Sequence, residues 1–64
     1  MKMEEMREMT NEELQTRLEE LRIELFNLRF QKSKNLLDRQ DRPRLVRRDI
    51  ARILTLLKER QKNQ

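Results

Sequence analysis

Leucines recur along the first half of the chain at the spacing of a helix that packs on another helix. They alternate at intervals of four and three residues, at Leu14, Leu18, Leu21, Leu25 and Leu28. Residues three or four apart lie on the same face of an α-helix, so this spacing predicts a single apolar seam. We expect this first long helix to cover about residues 11–33.

The stretch "MTNEEL" supplies a start signal for that helix. The hydroxyl of Thr10 can accept from the amide of Glu13, and the Glu13 carboxylate can accept from the amide of Thr10, which is a capping box. Met9 and Leu14 occupy the two positions of a hydrophobic staple. The helix is therefore predicted to begin at Asn11.

A second apolar seam follows in the C-terminal half. Its members, at intervals of four, three and four residues, are Val46, Ile50, Ile53 and Leu57. Pro43 is tolerated in a helix only in the first turn, which places the N-cap at Asp41 and a second helix over about residues 42–60. The connection over 34–41 contains Asn35, a residue that tolerates the left-handed conformation with which many helices end.

The two seams match when the chain folds back on itself. The matched pairs are Leu28 with Val46, Leu25 with Ile50, Leu21 with Ile53, and Leu18 with Leu57. The predicted fold is all-α: one domain over residues 1–64, built as a long antiparallel two-helix hairpin with a short N-terminal helical turn.

The second helix also has a basic side that faces away from its seam. With about 100° per residue, Arg44, Arg48 and Arg52 lie about 160–240° from Val46. Thr55 falls among them, and Arg47 and Lys58 flank them. Like charges four residues apart destabilise an isolated helix, but such a ladder becomes favourable once phosphates lie along it. The ladder favours an anionic partner, although a solvated helix face would show a similar pattern.

Charge and composition restrict the function classes. Residues 1–31 carry five Lys and Arg against eight Glu, whereas residues 32–64 carry eleven Lys and Arg against four acidic residues. The chain has no Cys and no His, which excludes thiolate and imidazole chemistry for metal binding or catalysis. We expect no enzyme activity, no cofactor, no metal site and no membrane span.

Ile23, Phe26 and Phe30 form a second apolar stripe on the first helix, roughly opposite the leucine seam. A two-helix hairpin cannot bury both sides of one helix, so we predict that this stripe contacts a protein. Two other interpretations remain open. The Met-rich N-terminal segment or residues 36–37 could cover the stripe, or its phenylalanines could stack on an RNA base.

Two blocks carry a family resemblance: "ELFNLRFQ" at 24–31, and "VRRDIAR" at 46–52 followed by Thr55 and a leucine pair. Together they resemble the bacterial large-subunit ribosomal protein of family twenty-nine, over nearly the whole chain. The resemblance implies a helical hairpin on large-subunit rRNA near the peptide exit tunnel of the cytoplasmic ribosome. It also implies a neighbouring ribosomal protein of family twenty-three at the exit rim, where nascent-chain factors dock.

Basic residues in these blocks match the family, namely Arg29 in the first and Arg47, Arg48 and Arg52 in the second. The candidate RNA-binding residues are therefore Arg29, Lys32, Lys34, Arg44, Arg47, Arg48, Arg52, Thr55 and Lys58. We expect a structural, non-enzymatic rRNA-binding protein. The alternative is an antiparallel coiled-coil module that self-associates through its leucine seams and binds no RNA.

Overall fold

The structure is a computed structural model that describes residues 2–62. Three α-helices follow one another along the chain: α1 (Met3–Arg7), α2 (Asn11–Ser33) and α3 (Arg42–Lys62). The two long helices pack on each other, and α1 packs on α3. They form a rod of 45 × 17 × 16 Å. With no strand anywhere in residues 2–62, the predicted all-α hairpin with a short N-terminal helix is confirmed.

The start of α2 is fixed by the predicted capping box. The Thr10 hydroxyl accepts from the amide of Glu13 at 3.1 Å, and the Glu13 carboxylate accepts from the amide of Thr10 at 3.3 Å. Two otherwise unpaired amides of the first turn are thereby satisfied. Glu12 and Glu13 also place negative charge at the positive end of the helix dipole.

Loss of the cap is expected to destabilise the free protein measurably. Thr10→Ala removes an acceptor from a helix N-terminus, which usually lowers the free energy of unfolding by about 1 kcal/mol. Urea unfolding followed by far-UV circular dichroism would measure this change. Thr16→Ala makes the same substitution at an exposed site inside α2 and should have little effect. Equal losses in the two variants would contradict a specific role for the cap.

The end of α2 is a Schellman turn built on the residue predicted for it. Asn35 has a φ of 58°, the left-handed conformation that asparagine tolerates. The amide of Leu36 donates to the carbonyl of Gln31 at 2.8 Å, and the amide of Asn35 donates to the carbonyl of Lys32 at 3.1 Å. These two bonds are those of a Schellman motif. Lys34 is the C-cap residue, one turn after Phe30.

The start of α3 agrees with the predicted N-cap. Arg42 is the first helical residue, and the carbonyl of Asp41 accepts from the amide of Leu45 at 3.1 Å. Pro43 lies in the first turn, where its missing amide leaves no helical bond unmade. A hydrogen bond from Arg39 at 3.0 Å lowers the pKa of the Asp41 carboxyl. The Asp41 carboxylate therefore stays ionised to lower pH than a free aspartate would, at the positive end of α3.

The core contains most of the predicted seams and two unexpected residues. The buried apolar residues are Met6, Leu14, Leu18, Leu21, Val46, Ile53 and Leu56. The remaining seam members are partly buried against them: Leu25, Leu28, Ile50 and Leu57. Neither Met6 nor Leu56 was predicted, because the two-helix pattern did not include the packing of α1 on α3.

Polar contacts of Arg60 and Glu59, near the end of α3, hold α1 in place. The guanidinium of Arg60 donates to the carbonyl of Arg7 at 3.0 Å and to the amide oxygen of Asn11 at 2.8 Å. Glu59 pairs with the Arg7 side chain at 3.8 Å. These contacts join α1, the start of α2 and the end of α3, while Met6 fills the core beneath them.

The register of the hairpin differs from the predicted pairing by about one turn. Arg42 donates through Nε to the Glu24 carboxylate at 3.1 Å and shares a groove with Leu28, whereas the predicted register would place it beside Lys32 or Ser33. Leu37, in the connection, lies in the same groove as Leu28.

The connection therefore runs back along the end of α2 and takes the place that α3 was predicted to occupy. The last turn of α2 extends past the start of α3 as a result. Within residues 2–62, no helix combines the length and the hydrophobicity that a bilayer crossing requires.

Candidate nucleic-acid interface

The outward face of α3 carries the basic residues predicted for it. All six candidates on this helix are exposed: Arg44, Arg47, Arg48, Arg52, Thr55 and Lys58. Val46 and Ile53, on the opposite side of the helix, are buried. The two-sided helix is thus observed, and its outer side presents five cations to solvent.

Thr55 differs from its neighbours because its hydroxyl donates to the carbonyl of Ala51 at 2.9 Å. In this rotamer the hydroxyl hydrogen is already used, so toward a phosphate Thr55 offers no donor. Arg52 lies beside α1 and lines a shallow groove with Lys2, Met3 and Glu4. Arg52 is therefore the point at which the basic face of α3 meets the N-terminal segment, which brings both Lys2 and Glu4 beside it.

A second group of candidate cations lies at the turn end of the rod. Arg29 and Lys32 belong to the last turns of α2, Lys34 is its C-cap, and all three are exposed. Other arginines are engaged within the hairpin, with Arg42 bound to Glu24 and Arg60 bound to the α1 segment. The structure thus separates cations that hold the fold from cations that face outward.

The second apolar stripe is open to solvent. Ile23 is 62% exposed, Phe26 72% and Phe30 56%. The interpretation in which chain segments cover the stripe is wrong, since α1 packs on α3 and Leu36 is itself exposed. The Met-rich segment packs on α3 because Met6 is held in the core there.

The two ends of the stripe have different electrostatic surroundings. At the N-terminal end, Ile23 lines a shallow groove with Glu19 and Glu20. At the C-terminal end, the ammonium of Lys34 lies 5.8 Å from the centre of the Phe30 ring, within the range of a cation–π contact. The sequence interpretation missed this contact, although the i,i+4 spacing of Phe30 and Lys34 was a signal for it.

Among residues 2–62, no group of three or more acidic, cysteine or histidine side chains is placed to hold a metal ion. The outer face of α3 and the end of α2 present exposed guanidinium and ammonium groups, and α2 presents two exposed phenylalanine rings. Their arrangement can bind phosphates by charge-assisted hydrogen bonds and can contact apolar or aromatic surfaces.

Comparison with known proteins gives a consistent result. The family model described as Ribosomal L29 protein matches residues 4–60. The chain is 52% identical over 63 residues to the large ribosomal subunit protein uL29 of Natranaerobius thermophilus, covering 98% of this chain and 97% of that protein. It is 57% identical over 61 residues to the protein of that name from Caldanaerobacter subterraneus, covering 95% and 92%. No solved structure matches the chain significantly.

Proposed function

Since the chain belongs to the ribosomal L29 protein family, we propose that it is a structural constituent of the large ribosomal subunit that binds rRNA near the polypeptide exit tunnel. It acts in the cytoplasmic ribosome, and its role is architectural, without catalysis. The observation that supports this proposal most directly is the exposed cationic face of α3 opposite a buried apolar face.

The α3 face suits a duplex or folded RNA backbone in chemistry and in shape. Arginine presents a planar fork of donors that binds phosphate oxygens in pairs. Arg44 and Arg48 lie one turn apart, and Arg47 and Lys58 widen the row. A straight helix with cations on successive turns can follow a line of phosphates. RNA contact also relieves the repulsion between like charges on the helix.

The turn end adds Arg29, Lys32 and Lys34 to the proposed RNA contacts. They lie at the end of α2, and Arg44 lies in the first turn of α3, so both helices present cations near the connection. RNA would thus contact the outer side of α3 and the turn end. The opposite flank of α2 remains for another neighbour.

The acidic end of the apolar stripe suits a protein better than RNA. Glu19 and Glu20 flank Ile23, and carboxylates repel phosphates while they attract basic side chains. We assign Ile23 and Phe26 to contact with a neighbouring ribosomal protein. The family resemblance points to family twenty-three at the exit rim, with nascent-chain factors docking nearby.

Salt dependence tests the RNA proposal directly. If about five basic side chains meet phosphates, the logarithm of affinity for large-subunit rRNA should fall with the logarithm of salt concentration at a slope of about −3 to −5. Filter binding or fluorescence anisotropy across a salt series measures this slope. A flat dependence, or no binding, contradicts the proposal.

The coiled-coil alternative predicts a different result in the same buffer. Analytical ultracentrifugation of the free protein would then give a stable dimer or tetramer whose mass is unchanged by rRNA. That alternative requires the leucine seams to pair between chains, whereas Leu14, Leu18 and Leu21 are already buried within the hairpin. A monomer that sediments with rRNA supports the ribosomal role.

A further inference from the structure

The end of α2 brings an exposed aromatic ring and a cation together beyond the start of α3. We infer that Phe30 is a stacking platform for an unpaired rRNA base, and that Lys34 binds a phosphate next to that base. This inference rests on the proposed function, since it names the RNA feature that the turn end recognises. It also moves Phe30 from the protein-contacting part of the stripe to the RNA-contacting surface.

The Schellman turn sets the geometry of this pair. Lys34 is the C-cap of α2, with φ −99° and ψ 5°, and it lies one turn after Phe30. The hydroxyl of Ser33 donates to the Phe30 carbonyl at 2.7 Å, and the amide of Lys34 donates to the same carbonyl at 3.2 Å. The Phe30 carbonyl therefore accepts two hydrogen bonds that fix the backbone at this position, while the Phe30 side chain stays 56% exposed.

The Phe30 side chain stays more than half exposed because of the register of the hairpin. Arg42, the first residue of α3, contacts Glu24, so the last turn of α2 lies past the start of the partner helix. The connection covers the Leu28 side of this turn through Leu37. Phe30 lies about 160° around the helix from the Leu14 side, and the Lys34 ammonium lies over its ring, 5.8 Å from the centre. A base that stacks on this ring would meet that ammonium, which then pairs with the adjacent phosphate.

The charge around Phe30 selects RNA over protein. Exposed cations lie close to it along the chain at Arg29, Lys32 and Lys34. Ile23, at the other end of the stripe, has Glu19 and Glu20 beside it. An aromatic ring among cations is the usual arrangement for stacking on single-stranded nucleotides, where the ring meets the base and the cations meet the backbone.

The inference predicts different rRNA affinities for aliphatic and aromatic substitutions at Phe30. Phe30→Leu keeps an apolar side chain of similar volume but removes the π surface, whereas Phe30→Tyr keeps the aromatic ring. Loss of a stacked base typically weakens binding about fivefold to a hundredfold. We therefore expect Phe30→Leu to lose affinity for protein-free large-subunit rRNA by at least about fivefold, and Phe30→Tyr to bind like the wild type.

Ile23→Leu is the matched control, because it makes an equally mild change on the same stripe at the acidic end. It should leave rRNA affinity unchanged. Lys34→Gln should reduce the salt slope by about one, as expected for one lost phosphate contact. Circular dichroism should show wild-type helicity in all these variants, since the substituted side chains are exposed.

Two results would overturn the inference. If Phe30→Leu binds rRNA as tightly as the wild type while the wild type keeps its steep salt slope, Phe30 does not stack and the proposed function stands. If Phe30→Leu binds protein-free rRNA normally but impairs incorporation into subunits, where ribosomal proteins are present, the ring contacts protein. Absence of salt-dependent rRNA binding by the wild type instead rejects the proposed function itself.

Discussion

Replacing Arg44, Arg47 and Arg48 together with glutamine will weaken binding to large-subunit rRNA by about a hundredfold or more at moderate salt, if each lost charge-assisted bond contributes about 1 kcal/mol. The salt slope should become shallower by about 2 to 3, because each phosphate contact contributes about 0.7 to 0.9 to its size. Filter binding across a salt series measures both quantities.

The helix content of the free variant shows whether the loss of rRNA affinity comes from lost contacts or from a misfolded helix. Arg44 and Arg48 are like charges four residues apart, so their removal should leave the helix content of the free protein unchanged or slightly higher. The matched control replaces Arg17, Arg22 and Lys62 with glutamine, which removes the same charge from sites on α2 and at the far end of α3, outside the proposed interface. If the control triple loses as much affinity, net charge rather than the α3 face governs binding. A collapse of helicity would mean that the arginines are structural.

Truncating Ile53 to alanine will unfold or nearly unfold the free protein. Ile53 is 0% exposed, and deletion of such a side chain typically lowers the free energy of unfolding by about 2–5 kcal/mol. Domains of this length have a total stability of only about 3–10 kcal/mol. The variant should therefore show a much lower urea midpoint, or no cooperative transition, in circular dichroism at 222 nm.

Leu54→Ala is the natural comparison, since Leu54 is the next residue of α3 and is 42% exposed. It should lower stability by well under half as much, because less apolar surface returns to water. Similar losses in the two variants would show that α3 does not bury the face described above.

Excess rRNA should restore helicity to Ile53→Ala to the extent that binding favours the folded state.

Local rules in the sequence were enough to predict the helices and the chemistry of the outer face. The cap at Thr10, the left-handed Asn35 and the first-turn Pro43 each depend on a few neighbouring residues, so each could be predicted from its own stretch of chain. The two-sided character of α3 likewise follows from its 3.6-residue period alone.

Contacts between elements distant in sequence could not be predicted in the same way. The burial of Met6 depends on where a five-residue helix packs, and nothing in its own pattern indicates α3 as the partner. The register depended on the path of the connection, because Leu37 shares a groove with Leu28, which was predicted to pair with Val46 of α3. A heptad seam fits equally well after a shift of one turn, so its spacing could not exclude that displacement.

The partners of the charged side chains show the same limit. Sequence identifies Arg42 and Arg60 as cations like any others, yet Glu24 engages the first and the α1 segment engages the second. These fold-holding arginines became distinguishable from the outward ones only when the helices were placed together. The contact of Lys34 with Phe30 was also missed, although its i,i+4 spacing was a signal that could have predicted it.

The bonds from Arg60 to Arg7 and Asn11 place the end of α3 beside the start of α2 at one pole of a 45 Å rod, with the Phe30 turn at the other pole. A fluorophore attached at the end of α3, at Lys62, will thus lie far from the turn. Energy transfer from such a label to one on labelled rRNA would reveal which way the rod points on the ribosome.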